Sequence, residues 1–464
     1  MAESKSPGLS GHAKRAMISQ FLGFGLDAYD MALVLVMAPI LTRVFASPTS
    51  SVAWQYLTVV LFYSITMAAR PIGSAIFGHY ADKIGRRFLL LFTIGGVGVM
   101  SLLSAFIPTR DQAGIGMAFL FYGILRLLMG IFFGGEYAVG HAFAIEHAPK
   151  KRRGQIGGFI QSGFPFGFAM ASFVVLGFSF ALGEAAMQDY GWRIVFATGA
   201  APVLLTLFIR KSLAESPEFE KAKEQGKIEK APFVSLFKPP TLWVFLQVFF
   251  FMTGLFLTDY AIYQFLPQIL KGKDKFGLVD YTQLYGVALF FAFIGYNVYG
   301  WLSDKIGRKR LTQYYCFAVV ILGIPLYHIL INAAVSKNFK LALIGCMLAG
   351  CLKLAWGVIP AYLCERFPTK SRSVGCGFGY SAGALLGGAG ITPLVALFHT
   401  LPFIAAIEGP NELWLSASTV LTIGATMTFV SLLFSPETKD LELCEIGVEP
   451  KCVEPRLAIP AAEA

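Results

Sequence analysis

The sequence predicts an all-α membrane protein whose twelve transmembrane helices form two six-helix bundles, and three observations carry that expectation. First, a chain of 464 residues that is 56% hydrophobic and 14% charged, with mean hydropathy +0.63, has more apolar surface than one or two soluble cores can enclose. Second, apolar stretches of the roughly 20 residues needed to cross hydrocarbon recur along its whole length. Third, a cationic string occurs twice between such stretches, as Gly78-His-Tyr-Ala-Asp-Lys-Ile-Gly-Arg-Arg87 and Gly300-Trp-Leu-Ser-Asp-Lys-Ile-Gly-Arg-Lys309. Glu146, Pro149 and Arg153 likewise return 219 residues later as Glu365, Pro368 and Arg372, and Ser216-Pro-Glu218 returns as Ser435-Pro-Glu437. Two homologous halves follow, as in carriers built from parallel repeats.

The spans are expected at 16–44, 54–80, 88–107, 113–147, 156–182 and 192–210, then at 240–270, 282–303, 311–335, 339–365, 374–400 and 412–434. Residues 1–210 and 239–435 thereby make the two bundles. Between them, 211–238 is the one long polar connection, and Glu220, Lys223, Glu224 and Lys227 at helical spacings predict a cytoplasmic surface helix there. Residues 436–464, with Pro450, Pro455 and Pro460, read as a disordered cytoplasmic tail. Glycines crowd span five, around Gly154, Gly158 and Gly167, and span eleven, around Gly377, Gly383 and Gly387. Close helix packing explains them, and Pro165 offers a bend inside span five.

The net charge of +10 does not point to nucleic acid, because Lys and Arg concentrate on alternate loops, in clusters such as Lys150-Lys-Arg-Arg153. That alternation places both termini in the cytoplasm. The sequence contains no phosphate loop, nucleophile elbow or metal-ligand spacing, so neither an enzyme nor a nucleotide-driven pump is expected, and no cofactor. Five of the seven cysteines lie in or beside spans and read as small packing residues, while Cys444 and Cys452 fall in the tail.

Within the repeated string, Asp82 and Arg86 stand four residues apart at the cytoplasmic end of a span, where a carboxylate can meet a guanidinium. Gly85 permits a tight turn, and Asp304, Gly307 and Arg308 repeat the set. Positive-inside topology explains the basic residues but not the twice-used Gly, Asp and Gly, so these six residues are expected to gate the inner mouth. The string resembles the loop signature of the major facilitator superfamily, and its presence in both halves extends the resemblance over the whole chain. Arg70-Pro-Ile-Gly-Ser-Ala-Ile-Phe-Gly78, Arg126-Leu-Leu-Met-Gly130 and Gly134-Gly-Glu-Tyr137 resemble the metabolite:proton symporter branch. Leu26-Asp-Ala-Tyr-Asp30 and Gly383-Ala-Leu-Leu-Gly387 also resemble the sialate and monocarboxylate:proton symporters. These resemblances imply carriage of organic acids and zwitterions, with the arginine before Pro71 serving the anion. Span six ends Ala214-Glu-Ser-Pro-Glu218 without the arginine a sugar-porter pattern would place after Pro217, which ranks sugars lower.

An ionised residue at bilayer depth costs about 2.5–3.5 kcal/mol on insertion scales, so charges inside spans need partners or a task. Asp27 and Asp30, three apart on one face of span one, are the expected proton carriers, since lost hydration and mutual repulsion favour a protonated carboxyl. Arg126 in span four is their expected counterpart, on a strip continued by Gly130, Gly134 and His141. Glu136 is expected to relay protons or to brace Arg126 or a cytoplasmic arginine, although ten residues of helix set it about 80° off the Arg126 face. Arg70 is read as the clamp for a substrate carboxylate, for which its fork suits better than lysine, against the alternative of a permanent strut. Tyr29, Asp259 and Lys353 are placed with Arg70 at the substrate site: Asp259 and Lys353 are expected to neutralise each other or to flank the cavity, and Arg126 or Lys353 is the alternative second holder of the carboxylate. The sequence therefore leads to a proton-coupled symporter, working as a monomer in the plasma membrane, that imports a small organic anion such as a mono- or dicarboxylate by alternating access. A sugar or polyol symporter and a drug exporter are rivals on the same fold, and a non-transporting metabolite sensor is a more distant one.

Overall fold

In hydrocarbon every backbone N–H and C=O must find its partner within the chain, and the apolar stretches meet that demand as helices. A computed structural model of the protein describes residues 10–45, 52–270, 275–408 and 413–443; Cys444, Cys452 and the three tail prolines lie outside them. In the first half, α1 spans Gly11–Val36, α2 Val52–Ile84, α3 Arg86–Ser104 and α4 Ile115–Glu146. Next come α5, in two pieces, Arg153–Gln161 and Gly163–Ala186, and α6, also in two, Trp192–Thr198 and Ala200–Lys211. The second half holds α7 (Thr241–Leu270), α8 (Leu278–Ile306), α9 (Arg308–Val335), α10 (Phe339–Cys351, then Ile359–Cys364), α11 (Arg372–His399) and α12 (Trp414–Leu433).

Local chemistry sets the boundaries. Gly85 and Gly307 both take φ +115°, a backbone setting that side chains with a Cβ adopt only under strain. Each turns the chain between two helices within one residue, so Asp82 and Asp304 lie on the last turns of α2 and α8 rather than in loops. The interruption in α5 falls at Ser162, three residues before Pro165, whose missing N–H cannot bond the carbonyl of Gln161. In α10 the helix gives way to a 3₁₀ turn over Leu354–Val358, with Lys353 immediately before it. The sequence reading did not anticipate that break, which Pro360 ends by restarting the helix from its first turn.

Two further expectations are corrected. The surface helix of the connection is only Pro217–Glu224, capped by Ser216, so Lys227 lies beyond it. The segment after α12, read as disordered from 436, is held in place as far as Leu443, whose carbonyl accepts from Arg372 at 2.8 Å.

The halves pack alike: α2 lies on α4 and α1 on α5, while α8 lies on α10 and α7 on α11 and α12. Between halves α2 meets α11 and α5 meets α8. Glycine makes several of these approaches possible. A Cβ on Gly254 of α7 would sit 2.6 Å from the carbonyl oxygen of Gly424 in α12, and one on Gly424 would sit 2.6 Å from that of Gly254. Gly254→Val is therefore expected to lower stability by about 1–3 kcal/mol, whereas Gly286→Ala, which enters open space, leaves it unchanged or slightly raised. Thermal unfolding of the detergent-solubilised variants checks both; equal melting of Gly254→Val and the parent would refute the packing argument.

Candidate functional site

At the cytoplasmic face the halves exchange charges. Asp82 pairs with Arg86 at 3.2 Å and accepts the backbone N–H groups of Ser373 and Val374, at 3.0 and 2.9 Å, from the start of α11. Asp304 does the same in reverse, pairing with Arg308 at 2.8 Å and accepting Gly154 N–H and Gln155 N–H, each at 2.8 Å, from the start of α5. A carboxylate of one half thus satisfies orphan donors of a helix in the other, on its positive end. Glu146 binds Arg86 at 3.0 Å and crosses to Arg372 at 2.7 Å. Glu365 binds Arg308 at 3.1 Å and faces Arg153 at 4.0 Å. The repeated Glu and Arg of the sequence are therefore partners exchanged between halves.

Glu215 and Glu437 cap α3 and α9, accepting from Arg86 N–H at 3.1 Å and Arg308 N–H at 2.7 Å. The structural counterpart of Glu437 is thus Glu215, not the Glu218 that the Ser-Pro-Glu match suggested. Across the same face Lys150 holds Glu442 at 2.8 Å, and that hydrogen bond keeps the Glu442 carboxyl below its usual range. Arg153 donates to the carbonyl of Leu441 at 2.8 Å. Arg86, Arg153, Arg308 and Arg372 are all buried.

Deeper in the first half three ion pairs form. Asp30 is gripped by Arg126 through both guanidinium nitrogens, at 2.6 and 3.3 Å. Glu136 pairs not with Arg126 but with Arg210 of α6, at 2.5 and 2.8 Å. Arg210, the last residue of the expected span 192–210, is buried and donates further to Ser19, Gln20 and the carbonyl of Leu90, and Gln20 reaches His141 at 3.2 Å. Asp27 differs: both its oxygens are buried without a hydrogen bond, and the guanidinium of Arg70 stops 3.8 Å away. Arg70 itself rests on Met31 Sδ at 3.2 Å and the Phe133 ring, with its Nε unpartnered. Tyr29 is turned to α6, its hydroxyl hydrogen-bonded to Thr198 at 2.6 Å.

In the second half the break in α10 delivers Lys353 to Asp259 of α7 at 2.7 Å, with its Nζ 3.2 Å from the centre of the Tyr263 ring. Irregular backbone at membrane depth is tolerated where protein or water surrounds it, and the Asp259 side chain retains 13% exposure. Contacts between halves bracket this region. Outward of Arg70, the hydroxyls of Tyr63 and Tyr260 lie 3.2 Å apart. Inward of it, the rings of Tyr137 and Tyr380 stack at 3.6 Å and the hydroxyls of Ser74 and Ser381 meet at 2.8 Å. Sequence reasoning placed none of these inter-half contacts, because a tyrosine in an apolar helix carries no mark of which helix it will face.

Duplicated six-helix halves, closed around ionisable groups at membrane depth, define the architecture of a secondary carrier. The sequence model of the Major Facilitator Superfamily matches residues 20–392, and the chain belongs to that family of transporters; it is a multi-pass plasma-membrane protein. It is similar to the sialic acid transporter NanX of Escherichia coli, 30% identical over 385 residues, covering 83% of this chain and 87% of the relative. The proline/betaine transporter of Escherichia coli is 29% identical over 399 residues, covering 83% and 77%. Among solved structures, the proton:xylose symporter XylE bound to 6-bromo-6-deoxy-D-glucose shares the fold with a TM-score of 0.76 at 19% identity, over 95% of this chain and 99% of that one.

Removing one partner of a buried pair strands the other, at about 3–5 kcal/mol. Arg210→Met is expected to destabilise the protein by that order, and Glu136→Met/Arg210→Met to recover much of the loss. Thermal unfolding of the single and double variants gives the coupling; strictly additive shifts would show that the two residues do not act as a pair.

Proposed function

We propose that the protein is a proton-coupled symporter that imports a small organic anion by alternating access, with Asp27 as the proton carrier and Arg70 as the anion clamp. The supporting observation is the incomplete pairing of these two residues. Arg126 and Arg210 each close on a carboxylate with two hydrogen bonds, but Arg70 stops 3.8 Å from Asp27, neither of whose oxygens has a hydrogen bond. Protonating Asp27 removes the negative charge beside Arg70 and leaves the guanidinium to a substrate carboxylate, which it can grip bidentately. Deprotonation on the cytoplasmic side restores the competing charge and favours release.

On this reading Asp30, Arg126, Glu136 and Arg210 are struts that hold the first half together rather than carriers of the coupling proton. The Asp82–Arg86 and Asp304–Arg308 sets, with Glu146 and Glu365, form the inner gate, since they tie α11 and α5 to the opposite half. Similarity to a transporter of sialic acid supports an organic acid as cargo, and similarity to a proline/betaine transporter makes zwitterions the competing class.

Proteoliposomes carrying a pH dye, offered lactate, pyruvate, succinate, sialate, glycine betaine and xylose in turn, test the proposal; proton entry with xylose alone would overturn it. Asp27→Asn is expected to lose uphill accumulation driven by a pH gradient while retaining exchange of labelled substrate across the membrane. Accumulation at the parent's level would remove Asp27 from the coupling step. Arg70→Lys, which keeps the charge but loses the fork, is expected to lower uptake efficiency about 10- to 100-fold, the equivalent of a charge-assisted hydrogen bond worth about 1.5–3 kcal/mol. Unchanged initial rates of uptake at low substrate concentration would assign Arg70 to structure.

A further inference from the structure

We propose that Lys353 determines specificity: its ammonium occupies the position that the cationic group of a zwitterion would take, and so restricts the central site to monoanions. This inference rests on the symport reading above. A carboxylate beside aromatic faces is the chemistry that binds alkylammonium and quaternary ammonium groups, and the second half contains that arrangement. Asp259 lies next to Tyr263, whose ring meets Tyr285 edge-on at 5.6 Å. Further aromatic surface comes from Trp356, which packs on Phe256 at 4.9 Å and Tyr380 at 6.1 Å. The cation found there belongs to the chain. Lys353 Nζ is 2.7 Å from Asp259 Oδ1 and 3.2 Å from the Tyr263 ring centre, held by the break in α10 that precedes Leu354–Val358.

Arg70 serves the same central site from the first half. Tyr63, two helical turns outward of Arg70 on α2, touches Tyr260, the neighbour of Asp259, across the halves. The charges of Asp27, Arg70, Asp259 and Lys353 sum to zero, so protonation of Asp27 leaves one positive charge, which one monocarboxylate neutralises. A zwitterion would bring a second cation to a site where Asp259 and Tyr263 are already engaged. With Lys353 made neutral, the same four positions with Asp27 protonated are neutral overall, and a carboxylate on Arg70 with an ammonium on Asp259 becomes the matching ligand.

The test uses the full-length protein in proteoliposomes, with lactate, pyruvate and glycine betaine as probes, and compares the parent with Lys353→Gln and Lys353→Met. In the parent, lactate- or pyruvate-driven proton entry is expected to be unaffected by a 100-fold excess of glycine betaine, and betaine itself is expected to give no signal. In Lys353→Gln, whose amide can still donate to Asp259, monocarboxylate transport is expected to fall at least tenfold and saturable quenching of tryptophan fluorescence by glycine betaine to appear. Lys353→Met is expected to behave alike, and thermal unfolding of both variants identifies one that fails to fold. Betaine transport or competition in the parent overturns the proposal without recourse to any variant. So does a folded Lys353→Gln that keeps monocarboxylate transport or gains no betaine binding. If the parent moves protons with none of these probes and with neither sialate nor succinate, the symport reading fails, yet betaine binding by Lys353→Gln and not by the parent still supports the role of Lys353.

Discussion

The cost of bringing charge out of water governs this protein more than any other constraint. Hydrocarbon supplies no hydrogen bonds, so each buried guanidinium and carboxylate must be met from within the chain. That requirement draws helices from distant parts of the sequence onto one another: α6 onto α4 through Arg210 and Glu136, α1 onto α4 through Asp30 and Arg126, and α11 onto α4 through Arg372 and Glu146. Glycine surfaces let the helices approach, but ion pairs select which faces meet. Apolar packing alone discriminates poorly here, because lipid tails are as apolar as leucine.

Against this background the central site is unusual for what it leaves loose. The struts are closed, short and multiply bonded, whereas the Asp27–Arg70 pair is held apart in the same low-dielectric surroundings. An interaction that is strong yet incomplete leaves room for another partner, and the proposed coupling of proton and anion rests on that room. The Lys353–Asp259 pair, closed to 2.7 Å, is the opposite kind of element, and in the specificity role proposed above it subtracts one class of ligand from those the aromatic surroundings would accept.

Much of the fold was legible because its signals are local and repeated: length and hydropathy gave the helices, alternating basic loops gave the orientation, and the twice-used string gave the two halves. The intramembrane charges were legible for the same reason, as isolated residues in apolar runs. Two of their pairings were legible as well, Arg126 with Asp30 and Lys353 with Asp259, but the partner of Glu136 was not. Arg210 sits at the end of a span, where position along the chain reads as cytoplasmic, and only the fold shows α4 and α1 closing over it. Glu146 and Glu365 were visible as repeats, but no periodicity says that a repeated residue will bind across to the other copy. The break at Lys353 was hidden because a 3₁₀ turn of Leu, Ala, Trp, Gly and Val is as apolar as the helix it interrupts.

The inner face closes twice, by two chemically equivalent clasps related by the duplication, one on α11 and one on α5. Each clasp alone spans both halves. In the inner gate proposed above, undoing one clasp leaves the other in place, so opening requires both to part. For that proposed gate, the duplication supplies redundancy as well as symmetry: closure is shared between two contacts, and neither has to be so strong that a transport cycle could not release it.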